Sequence, residues 1–139
     1  MDIIKEILAV NIPASVAVIC LIGYFWGMAV VFIISPVKNA ASFAVKPLDN
    51  AGKTEIRVYY GGISFALGAF LLYLTLALKT PFYSLVGGLF FATTGFVTRT
   101  IFLCVDKGWK CPYTKLAIPA EGFFVIALWT CFILSKTLY

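Results

Sequence analysis

Residues 12–34 read IPASVAVICLIGYFWGMAVVFII, without a single charge. A bilayer-crossing helix takes roughly 20 mostly apolar residues, so this stretch is long enough to be one. Three more stretches pass the same test, at about 57–78, 82–105 and 117–135. Together the four use up most of a chain of 139 residues that is 62% hydrophobic, 17% aromatic and only 12% charged, with a mean hydropathy of +0.99. Soluble domains carry about twice that share of charge. In lipid every backbone N–H and C=O has to be satisfied internally, and no alternating ten-residue pattern suggests a barrel. The sequence therefore predicts an all-α integral membrane protein, a four-helix bundle forming a single domain over 1–139.

The apolar run at 12–34 is too long for the core of a signal peptide. It ends at Ser35-Pro36 without a small-x-small cleavage site, so it reads as a permanent span. Ahead of it, IIKEILAV at 3–10 puts Ile3, Ile4, Ile7 and Leu8 on one helical face and Lys5 and Glu6 elsewhere. That pattern suits a short interfacial helix, with Asn11 and Pro13 punctuating the start of the first span.

Orientation follows from the basic residues of the short flanks, which concentrate on the cytoplasmic side. Lys38, Lys46 and Lys53 follow the first span and Lys107, Lys110 and Lys115 the third, against Lys5, Lys79 and Lys136 on the other side. Loops 35–56 and 106–116 are thus expected in the cytoplasm and both termini outside. The net charge of +5 fits this bias and contact with membrane lipids bearing anionic headgroups. Nothing in the sequence resembles a nucleic-acid-binding module.

A charge in the hydrocarbon layer costs on the order of 3 kcal/mol, so charged residues within or beside the spans tend to be paired and to face an interior. Glu55 and Arg57 stand at the start of the second span, Arg99 and Asp106 toward the end of the third, and Glu121 near the start of the fourth. Arg99 lies about 10 Å deeper than Asp106 on the same helix face. With Tyr60, these residues form a candidate ligand site or a structural ion-pair cluster, with Arg99 pairing to Glu121 or Glu55. The competing local readings are a first-turn acid for Glu121, a Thr54 N-cap followed by Glu55, and an Arg57 that snorkels to headgroups.

Small and polar residues recur at helical spacing. The second span carries Arg57, Tyr60, Gly61, Ser64, Gly68 and Thr75, and the third Ser84, Gly88, Ala92, Gly95, Arg99 and Asp106. Such stripes let membrane helices pack closely. Gly23 and Gly27 form a GxxxG in the first span, which serves either a neighbouring helix or a homodimer seam.

Taken together, Ser35-Pro36 closing the first span, Glu55-x-Arg57-x-x-Tyr60-Gly61-Gly62 opening the second, Gly95-x-x-x-Arg99 with Asp106-x-Gly108 ending the third, and a lone Glu121 opening the fourth resemble a known pattern. It is that of a family of small four-helix bacterial membrane proteins related to the DoxX-like group, which includes subunits linked to quinone chemistry. The resemblance runs from about Pro36 to the end. It implies a four-helix fold, a shared polar corner and a place in the cell inner membrane, but no reaction. The chain departs from the family's shorter form in its long first loop and in Lys46, Lys53, Lys110 and Lys115.

The absence of histidine excludes bis-His haem ligation and Ser-His or Cys-His nucleophile pairs within the chain. Cys20 and Cys131 belong to one half of the membrane and Cys104 and Cys111 to the other, so no metal cage is expected, and no Cys-x-x-Cys occurs. Cys104 and Cys111 could pair only if their loop faced an oxidising compartment. The loop SPVKNAASFAVKPLDNAGKT at 35–54 is either a lid, with Phe43 at its apolar patch, or an interfacial anchor, and Trp109 and Tyr113 read as aromatic-belt anchors.

Three functional readings follow. The first is a non-catalytic subunit or scaffold docking other membrane protein subunits. The second is a binder of a quinone, lipid or similar amphiphile at the charged corner, no other cofactor being expected. The third is an enzyme or proton-coupled carrier working through Glu121 or Glu55.

Overall fold

In the computed structural model residues 2–110 and 112–136 are described, those at 2, 3 and 110 by their backbone alone. The described secondary structure is helical throughout. It comprises α1 (Asp2–Ala9), α2 (Ile12–Ile34), α3 (Pro36–Ser42), α4 (Asn50–Ala77), α5 (Phe82–Val105), a 3₁₀ turn at Gly108–Lys110 and α6 (Pro112–Lys136). The helices α2, α4, α5 and α6 are each long and apolar enough to cross a membrane.

Two boundaries differ from the sequence reading, for local reasons. The N-cap of α4 is Asp49, whose Oδ1 accepts from the Gly52 N–H at 2.8 Å, while the Thr54 hydroxyl donates back to the Asn50 carbonyl. Glu55 therefore lies inside a helix and not at its start. Helix α6 opens on Pro112, where a missing N–H costs nothing, and continues past Pro119. Glu121 is consequently well inside the helix, so its first-turn reading fails.

The chain falls into two compact units, one formed by Ile19–Tyr73 and the other by the residues up to Val18 with those from Leu74 on. In the first unit the long loop folds back as α3 and a tight turn at Ala44, whose φ of 59° is left-handed. Phe32, Ala40 and Ile56 form its buried core, with Met28, Phe43 and Val45 packed on it. Phe43 thus belongs to the core of its unit. Side chains bond the carbonyls at and just past the end of α2, those of Val31 and Ser35 in addition to the backbone N–H groups of Ser35 and Asn39. Asn39 Nδ2 donates to the Val31 and Ser35 carbonyls at 2.9 and 2.7 Å, and Arg57 Nε to that of Ile33 at 3.0 Å.

Where α4 meets α2, the helix widens to π geometry over Arg57–Gly62, and the Ile63 N–H reaches back to the Val58 carbonyl. Gly61 is buried there, and a Cβ on it would stand 2.8 Å from Ile33 Cγ1. Two turns on, a Cβ on Gly68 would stand 2.6 Å from the Trp26 indole, which is stacked on Phe65. Gly68→Ala is therefore expected to destabilise the protein by about 1–3 kcal/mol through overpacking. Gly95→Ala, with nothing within 4 Å, should be neutral or gain up to about 1 kcal/mol in helix propensity. Reversible unfolding in mixed micelles measures both.

In the second unit polar ties anchor α1 and the helix ends. Ser15 Oγ donates to the Leu8 carbonyl at 2.7 Å, and Ile7 is buried whereas Ile4 is exposed. Of the expected apolar face of α1, the Ile3 side chain lies outside the described residues. Asn11, fully buried, accepts from the Ala14 N–H at 3.1 Å and donates to the Ser135 carbonyl at 3.2 Å. One side chain thus caps the start of α2 and the end of α6. The buried hydroxyls of Thr75 and Ser84 bond to each other at 2.8 Å across the turn between α4 and α5.

Candidate functional site

Helix α5 holds Arg99 about two turns from its end, and α6 brings Glu121 opposite. Arg99 Nε donates to Glu121 Oε2 at 2.8 Å. Next to Glu121, a Cβ on Gly122 would make ordinary contact with the Phe96 ring, at 3.4 Å. The guanidinium also lies over the Tyr113 ring, 5.7 Å from its centre, a cation–π contact the sequence did not signal. Both charged side chains stay partly exposed, at 40% for Arg99 and 33% for Glu121. Asp106 closes α5 through its backbone N–H to the Phe102 carbonyl, and its carboxylate joins no ion pair among the described residues.

Glu55, Arg57 and Tyr60 belong to the other unit. Glu55 is exposed and makes no ion pair among the described residues. The Arg57 guanidinium is engaged by the end of α2, where the negative end of the helix dipole favours a cation. Tyr60 stacks on Phe32 with ring centres 5.0 Å apart, and Phe43 closes a three-ring group with both.

The glycines expected to pack divide. Gly61, Gly68 and Gly88 are buried. Gly23, Gly27 and Gly95 are exposed, with open space where a Cβ would stand. Spacing signals a stripe of small residues without revealing what faces it.

At Gly95 that open space belongs to a groove of about 660 Å³ along α5, bordered by Phe91 and Phe102, with Thr94 and Thr98 on its walls and Arg99 toward one end. The sequence reading missed it, because threonines at this spacing look like ordinary helix positions. Thr100 and Thr130 do what a threonine in an apolar helix usually does: their hydroxyls bond the carbonyl four residues back, at 2.8 and 2.9 Å. Those of Thr94 and Thr98 have no hydrogen-bond partner among the described residues.

Among the described residues no group of three or more Cys, Asp or Glu side chains is placed to hold a metal ion. Cys20 and Cys104 are exposed, and Cys131 is half-buried. Cys111, the partner considered for Cys104, lies outside the described residues. Compared with protein-family models, curated proteins and solved structures, the chain finds no match in any of the three.

Proposed function

We propose that this chain is a multi-pass membrane protein that serves as a non-catalytic subunit of a larger membrane assembly. In this reading α2, α4, α5 and α6 form a four-helix bundle in a bacterial inner membrane, with loops 35–56 and 106–116 in the cytoplasm and the termini outside. The bundle would be a member of the DoxX-like group that the Glu55 to Gly62 element resembles.

The observation that carries the reading is the pairing of Arg99 with Glu121 at 2.8 Å. Intramembrane charges that serve catalysis or transport are aimed at a substrate or a water-filled path. Here the cation and the acid are engaged with each other and tie α5 to α6, and Arg57 caps α2. The open features are surfaces, such as the GxxxG face of α2 and the groove of α5.

Mild extraction of the affinity-tagged chain from its native membrane is expected to retain a membrane partner at fixed stoichiometry. The double swap Arg99→Glu with Glu121→Arg should keep that partner. A chain that purifies alone, together with a flux or turnover abolished by Glu121→Gln, would instead make this a carrier or enzyme. The α5 groove favours a second reading, a site for a lipid or quinone whose headgroup meets Arg99. A bound amphiphile detected by native mass spectrometry would support it.

A further inference from the structure

We draw no further inference here: the strongest candidate, the groove along α5 bordered by Phe91 and Phe102 with Arg99 toward one end, is an open face of one of the two units, and nothing in the structure shows what covers it.

Discussion

Glu121→Ala is expected to destabilise the protein by about 2–3 kcal/mol, because it strands the Arg99 guanidinium about two turns inside an apolar helix. The pair has one direct contact, at 2.8 Å, and each side chain is partly exposed. The loss should therefore fall below the 3–5 kcal/mol typical of a fully buried pair. Arg99→Ala should cost a similar amount. The double substitution of both by leucine should come close to wild type, since it removes the desolvation cost together with the attraction. A double-mutant cycle by reversible unfolding in bicelles measures the coupling. A coupling under about 0.5 kcal/mol would mean that the pair behaves like an exposed surface bridge and does not lock α5 to α6.

Asn11→Leu should destabilise by about 2–4 kcal/mol. About 1 kcal/mol of this is the lost N-cap of α2. The remainder is the penalty of leaving the Ala14 N–H and the Ser135 carbonyl buried without their partner. Asn11→Asp separates the two contributions: it keeps an acceptor for Ala14, deletes the donor to Ser135, and should give an intermediate loss. Hydrogen exchange supplies the structural readout. The first turn of α2 and the last of α6 should lose protection together in Asn11→Leu, whereas an effect confined to α2 would mean that the Ser135 contact contributes nothing.

How much of this was legible in the sequence depends on the range of each signal. The run at 12–34 fixes α2 to the residue, because the absence of charge over a whole span is local and strong. The ends of α4 and α6 were less visible. The cap at Asp49 is a small polar contact with no apolar signature, and Pro119 reads as a helix start when it is an interior residue of α6. Arg99 and Glu121 were recognisable as candidates, since charges in apolar segments are rare enough to ask for partners, and the structure selects Glu121 over Glu55. The tie from Asn11 to Ser135 crosses 124 positions, and nothing near Asn11 in sequence announces it. Gly68 and Gly95 look alike by spacing, yet one is covered by Trp26 and the other by nothing. The stripe is written in the chain, but its neighbour is written elsewhere.

The π-helical turns of Arg57–Gly62 have a consequence for angular phase. A π turn holds one residue more than an α turn, and each residue of an α-helix advances about 100° around the axis. The segment therefore sets the rotation of everything before it in α4 against everything after it. On one side stands Ile56, in the core, with Arg57 at the segment's first position reaching the end of α2; on the other stands Gly68, beneath Trp26. Both sets can be satisfied at once because the wide turn supplies the offset between them. A chain one residue shorter here would still be helical and of nearly the same length, but one half of α4 would face the wrong way.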